Sequence, residues 1–356
     1  MATQQLARQA VQELTPYQSA RRIGGHGNIW LNANESPDNA GYPNPEQRLN
    51  RYPEFQPPEL IEAYAQYSQL TSAQILAGRG ADEAIDLLIR AYCEPRKDQI
   101  VINPPTYGMY AICAKTWGIN IIEQPVDADY NPDYQALTQL DAKLFFICSP
   151  NNPTGNVVDL EKVAQLAKQK RDKALIVIDE AYIEFAAEYT AQSLLAAYDN
   201  IVILRTLSKA FALAGARCGF ILAHPDVINT LSKVIAPYPV PTPVAVVATE
   251  VLTTRLNEMY ERVEIQNEIR RQFIQEIEKL DGIAEIFSAT GNFILIRFSN
   301  PDVFKHMSEQ GIVLRDFDDK PKLKSSIRIS IGTQQEMEAT LASLKQFIAA
   351  SEKDFA

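Results

Sequence analysis

Lys209 stands in RTLSKAFALAGARCG (205–219), among alanine, leucine, phenylalanine and glycine, with Arg217 eight positions later. A lysine that serves solubility has charged neighbours, whereas this one has the surroundings of a packed interior. Burial or a nearby cation disfavours the ammonium form, and an amine whose pKa falls to about 7–8 can act as a base and form a Schiff base. Other polar groups follow apolar runs upstream. LFFIC (144–148) leads into SPNNPTG (149–155) and ALIVI (174–178) into DEAY (179–182), which brings Asn152, Asp179 and Tyr182 to the ends of those runs. GRGADEAIDLL (78–88) places a glycine pair before a helical pattern, where the free N–H groups of Gly80, Ala81 and Asp82 could hold a phosphate.

Each of these has a plainer explanation when taken alone. The run from Asn151 to Gly155 makes a good turn, Asp179 could cap a helix, Tyr182 could pack as any aromatic does, and glycine with aspartate is an ordinary helix start. Together they match one requirement. Pyridoxal phosphate chemistry needs a lysine amine, a carboxylate for the pyridine nitrogen, donors to the ring oxygen and a cradle for a dianionic phosphate. Arg217, Thr206 and Ser208 lie close enough in sequence to Lys209 to join that cradle. Dinucleotide binding fits poorly, since G-x-G-x-x-G is absent and GGHGN (24–28) follows no strand.

The elements that must position these groups alternate from about residue 70 to 235. QIVIN (99–103), NIIEQ (120–124), LFFIC, ALIVID (174–179) and NIVILRT (200–206) are nearly continuous in apolarity, as strands buried on both faces are. DEAIDLLIRAYCE and DLEKVAQLAKQKRD between them suit crossover helices, which predicts an α/β fold with a mostly parallel sheet. Ligands gather beyond the carboxyl ends of such strands. After residue 235, APYPVPTPVA cannot be a helix interior. A charged amphipathic run over 244–280 suits a helix linking two bodies, and NFILIRF, GIVLRD and SIRISIG then read as strands between two helices. The division expected is a large domain over 46–240 and a smaller α+β domain from 241–356, completed by the N-terminal arm 1–45.

At 356 residues, and about 150 per domain, the chain has room for two such bodies. Lys and Arg number 34 against 44 Asp and Glu, a net charge of −10 without a basic cluster. That argues against nucleic acid or anionic membrane as a partner and leaves a phosphorylated small molecule open. No stretch suits a secretory signal or a membrane span, so a cytoplasmic location is expected. Cys93, Cys113, Cys148 and Cys218 form no C-x-x-C pair, and His26, His224 and His306 show no ligand spacing, so neither disulfides nor a metal site is expected.

With SPNNPTG, DEAY and an S-K followed eight residues later by Arg, nearly the whole chain resembles the fold-type I, pyridoxal-phosphate-dependent aminotransferases. Residue by residue, the resemblance implies that Lys209 holds the cofactor covalently, Asp179 pairs with the pyridine nitrogen, and Asn152 and Tyr182 contact the ring oxygen. Tyr107 would stack on the ring, while Ala81, Asp82, Thr206, Ser208 and Arg217 would hold the phosphate. It also implies a homodimer, with Tyr52 reaching in from the other subunit, and Arg328 as the substrate's anion partner, helped by Arg315 and Tyr17. LTPYQSARR, WLNANE, NRYPE and VLRD are similar to the histidinol-phosphate aminotransferase branch, which implies L-histidinol phosphate and 2-oxoglutarate as substrates. A threonine-phosphate decarboxylase-like lyase and an aromatic amino acid aminotransferase are the alternatives on the same fold.

Overall fold

The computed structural model describes residues 2–18, 31–41 and 48–353. The larger of its two sheets contains β1 (Ile75–Gly78), β2 (Gln99–Ile102), β3 (Asn120–Glu123), β4 (Leu144–Cys148), β5 (Leu175–Asp179), β6 (Ile201–Thr206) and β7 (Gly219–Ala223). The order is β1-β7-β6-β5-β4-β2-β3, parallel from β6 to β3, with β7 antiparallel to both its neighbours. The expected α/β fold with a mostly parallel sheet is the one observed. Crossovers between parallel strands are made by helices such as Ala81–Tyr92, Met109–Thr116 and Leu160–Gln169. Asp159 caps the last of these, its carboxylate accepting from the N–H groups of Glu161 and Lys162.

Alternate residues of the central strands enter two different cores. Phe145, Ile147, Ile176, Ile178, Ile201 and Ile203 pack on one face, and Leu144, Phe146, Leu175, Val177, Val202 and Leu204 on the other. NIIEQ departs from this pattern, because β3 is the edge strand and Asn120 and Glu123 are exposed. Two short strands, β1 and β7, add to the five expected from the sequence.

The smaller sheet, β8 (Ile283–Ile286), β9 (Phe293–Phe298), β10 (Arg315–Asp316) and β11 (Ser326–Ser330), is antiparallel in the order β10-β11-β9-β8. Of GIVLRD only Arg315 and Asp316 pair with a neighbour. Ile312 and Leu314 still pack on the small core while Val313 is 94% exposed. The run expected as one helix over 244–280 is two, Thr242–Thr254 and Leu256–Ile277, broken where Arg255 takes φ −125° and ψ 20°. Pro243 sits in the first turn of the former, where its missing N–H costs nothing.

Helix Leu256–Ile277 bridges the cores. Met259 and Val263 pack under the large sheet, whereas Ile269, Phe273 and Ile277 pack under the small one. The large core therefore continues past residue 240. The N-terminal segment, expected to join the smaller body, packs elsewhere: Leu6, Ala7 and Val11 enter the large-sheet core, and Arg8 pairs with Glu94 at 3.0 Å. The two bodies meet beside SPNNPTG. Gly155 has φ +80°, and a Cβ there would run into the Ser288 carbonyl, so glycine's freedom and small size are both required.

Candidate active site

The carboxyl ends of β4, β5 and β6 lie side by side, and beyond them opens a cavity of about 570 Å³, part of it open to solvent. Ala81, Asp82, Tyr107, Asn152, Asp179, Tyr182, Thr206, Ser208, Lys209 and Arg217 all line it. The strand ends were expected to converge, and they do so because adjacent parallel strands end at the same level.

Asp179 is 2% exposed. Its Oδ2 accepts from the Tyr110 hydroxyl at 2.6 Å and its Oδ1 from the Ala181 N–H at 3.1 Å. Burial pushes the carboxyl up to about 6, against the pull of those two donors. Lys209 is half-buried, with Nζ 5.3 Å from the centre of the Tyr182 ring. Burial lowers its pKa, as do Arg328 and Arg217, while Asp82 and Asp179 oppose them. Two guanidiniums thus add to the apolar surroundings in favouring a free amine.

Asn152 joins the flanks of the cavity. Its Nδ2 donates to the Tyr182 hydroxyl at 3.3 Å, and its Oδ1 accepts from Arg328 Nη1 at 2.5 Å. Arg328 comes from β11, so this contact ties the small sheet to the site; its guanidinium also lies over the rings of Phe293 and Phe317. Arg315 is its cross-strand partner on β10 and is exposed.

At the opposite end, helix Ala81–Tyr92 starts after Gly80, which has φ 91°. A Cβ there would come within 3.0 Å of Arg217 Nη2, so glycine lets the guanidinium close over the helix start. Arg217 takes the left-handed φ of 53°, uncommon for a residue with a side chain. Its Nη1 is 3.4 Å from Ser208 Oγ and its Nη2 is 3.4 Å from Asp82 Oδ2. Asp82 also accepts from the Tyr107 hydroxyl at 2.8 Å. Thr206 and Ser208 hydroxyls lie 2.9 Å apart on the same side.

Tyr17 and Tyr52 are not brought to this cavity. Tyr17 is 68% exposed, and Tyr52 stacks on Tyr238 with ring centres 4.4 Å apart. His26 and GGHGN lie outside the described residues. Sequence reasoning missed Cys148, Ala181 and Ala214 in the lining, and Tyr110 behind it. A second tyrosine in TYGMY was the available signal for Tyr110. Among the described residues, no group of three His, Cys, Asp or Glu side chains could hold a metal, and no helix is long and apolar enough to cross a membrane.

Residues 29–344 match the family described as aminotransferase class I and II. The chain belongs to that family. A histidinol-phosphate aminotransferase of Aeromonas hydrophila subsp. hydrophila is 52% identical over 97% of this chain and 98% of its own length. The solved structure of the histidinol-phosphate aminotransferase from Clostridium acetobutylicum has a TM-score of 0.80 at 26% identity, covering 86% of this chain and 92% of that one. The enzyme of that name from Sinorhizobium meliloti, solved in complex with pyridoxal-5'-phosphate, has a TM-score of 0.77 at 23% identity, with 86% and 84% covered.

In this class I and II aminotransferase chain the donor set fits that coenzyme's chemistry. The cavity holds a buried carboxylate, a hydroxyl and an amide on one flank, a suppressed ammonium, and a half-exposed guanidinium at a helix N-terminus. A flat pyridine with an aldehyde, a ring hydroxyl and a phosphate could satisfy all of these.

Proposed function

We propose that the protein moves the amino group of L-histidinol phosphate to 2-oxoglutarate, giving imidazole-acetol phosphate and L-glutamate, with pyridoxal phosphate as cofactor. This is a step of L-histidine biosynthesis. The observation that carries the reading is 52% identity to a histidinol-phosphate aminotransferase along almost the whole of both chains. The cavity lined by Lys209, Asp179 and Arg217 supports it chemically.

Bound there, pyridoxal phosphate would supply an aldehyde for the substrate amine and a ring that withdraws electrons from the substrate Cα. In this reading Lys209 anchors the coenzyme and then, as a free amine, carries the Cα proton. Its lowered pKa keeps part of the amine uncharged near neutrality. Asp179 holds a proton on the ring nitrogen. Asn152 and Tyr182 fix the ring oxygen, and Tyr107 covers the ring. The free N–H groups of Ala81 and Asp82, the hydroxyls of Thr206 and Ser208, and Arg217 bind the phosphate.

Arg328 receives the anionic end of each substrate, a phosphate in one half-reaction and a carboxylate in the other, since a planar guanidinium suits both. Arg315 beside it and Tyr17 assist. We further read the protein as a cytoplasmic homodimer in which Tyr52 of one subunit completes the other's site. That is supported by Tyr52 being 49% exposed and outside the cavity of its own chain.

L-Histidinol phosphate added to the coenzyme-loaded protein should bleach its yellow band, and 2-oxoglutarate should restore it with formation of glutamate. Release of carbon dioxide without glutamate would point to the phosphothreonine-type lyase. Activity on phenylalanine with none on histidinol phosphate would point to an aromatic aminotransferase.

A further inference from the structure

Tyr110 lies outside the cavity lining and is fully buried, yet its hydroxyl donates to Asp179 Oδ2 at 2.6 Å. Three contacts fix the ring. It stacks on Phe146 at 4.9 Å, meets Tyr107 edge-on at 5.7 Å, and rides on helix Met109–Thr116 behind the large sheet. Asp179 needs such support. Its other oxygen has the single Ala181 N–H, and a carboxylate without donors in so closed a place would turn or take up a proton.

We propose that Tyr110 is a positioning residue: by donating to Oδ2 it holds the Asp179 side chain ionised and aimed into the cavity, and through its edge contact it sets the Tyr107 ring. The proposal rests on the cofactor reading above, since Asp179 matters here as the partner of the pyridine nitrogen. Burial drives the Tyr110 phenol well above its ordinary range, so the group stays a proton donor at every working pH. Asp82, Tyr107, Cys148, Glu180, Tyr182 and Lys209 also face Asp179 electrostatically, but among the described groups only Tyr110 and the Ala181 N–H donate hydrogen bonds to its carboxylate.

The test titrates coenzyme-free protein with pyridoxal phosphate from pH 5 to 9, following fluorescence quenching and the bound-coenzyme absorbance band. Tyr110→Phe should weaken binding about tenfold at pH 7 and move the acid limb up by about one pH unit, the size expected for one hydrogen bond to a charged group. Tyr110→His, which keeps a donor, should bind within about threefold of the wild type. In an Asp179→Asn background, Tyr110→Phe should change the affinity less than about twofold, because the coupling is already gone.

An unchanged affinity and acid limb in Tyr110→Phe, or equal losses in both backgrounds, would overturn the proposal. If Tyr110→Phe does not fold, Tyr110→His carries the test alone, and binding as weak as that of Asp179→Asn overturns it. A wild-type protein that takes up no pyridoxal phosphate overturns the aminotransferase reading and this proposal with it. Normal wild-type uptake beside an unaltered Tyr110→Phe overturns this proposal only.

Discussion

The ends of β5 and β6 carry charge on both faces of the large sheet, and the two faces treat it in opposite ways. On the cavity face, Asp179 has two donors and Lys209 sits among Arg328 and Arg217 with its ammonium disfavoured. On the other face, at the position after Asp179 on one strand and before Thr206 on the next, Glu180 and Arg205 bind one another. Arg205 Nε and Nη2 both lie 2.7 Å from Glu180 Oε2, and the second oxygen accepts from the Ala191 N–H at 2.6 Å and the Thr190 hydroxyl at 3.2 Å. Glu184 approaches Arg205 at 3.7 Å. Consecutive residues of a strand point to opposite sides, so DE and RT each divide one residue to chemistry and one to structure. Burial alone does not mark a site. What distinguishes the cavity is buried charge beside open space that a ligand can fill.

The comparison breaks first at Lys209. Lys209→Ala should lower turnover by about 10³-fold, the scale of a lost general base, while the urea midpoint of the coenzyme-free protein stays level or rises because a half-buried ammonium has gone. Retention of a tenth of the activity would remove Lys209 from the chemistry. The opposite face should respond the other way. Arg205→Met leaves Glu180, with a side chain fully shielded from solvent, without its partner, and should cost about 3–5 kcal/mol of stability in urea unfolding. Turnover per folded molecule should stay within about threefold of the wild type, because the Arg205 side chain pairs with Glu180, Thr190 and Glu184, none of which lines the cavity. Adding Glu180→Leu should recover most of the loss, since a buried pair replaced by apolar groups is close to neutral. A tenfold fall in turnover of folded Arg205→Met would show that the faces are coupled.

Asp179, Asn152 and Lys209 were legible because each follows an apolar run, and parallel strands bring such ends together whatever lies between them. The Glu180–Arg205 pair was not legible. With both faces of β5 and β6 apolar, the two-residue period carries no sign of which side a polar neighbour will take. β1 and β7 escaped because ILAG and GFILA are short and include glycine, which weakens a strand signal. Gly219 nonetheless makes room for Gly80: a Cβ there would sit 2.8 Å from the Gly80 Cα. The N-terminal helices were assigned to the wrong body because an amphipathic segment shows that it packs, not on what. Tyr17 and Tyr52 were reached by resemblance alone, and no property of a single chain brings them to the cavity.

The gentlest probe of the two faces is pH. Burial holds Asp179 up to about 6 and Glu184 up to about 7, both above the ordinary carboxyl range, although Arg205 pulls Glu184 down. A carboxyl raised in the folded state binds its proton more tightly folded than unfolded. Stability from such a group is therefore greatest at low pH and declines as pH rises from the unfolded value through the folded one. For Asp179 that window runs from about 4 to about 6, and for Glu184 from about 4.5 to about 7. Urea unfolding of coenzyme-free protein at pH 5.5 and 8 should show the higher midpoint at pH 5.5. Glu184→Gln should reduce the difference by about 1–2 kcal/mol, because only the part of the shift above pH 5.5 is sampled. Loading pyridoxal phosphate should remove the Asp179 part, since a charged ring nitrogen would hold that carboxyl ionised, and leave the Glu184 part in place. If Glu184→Gln leaves the pH dependence unchanged, the charge of Arg205 outweighs burial at that site, and the far face is an ion cluster ionised throughout.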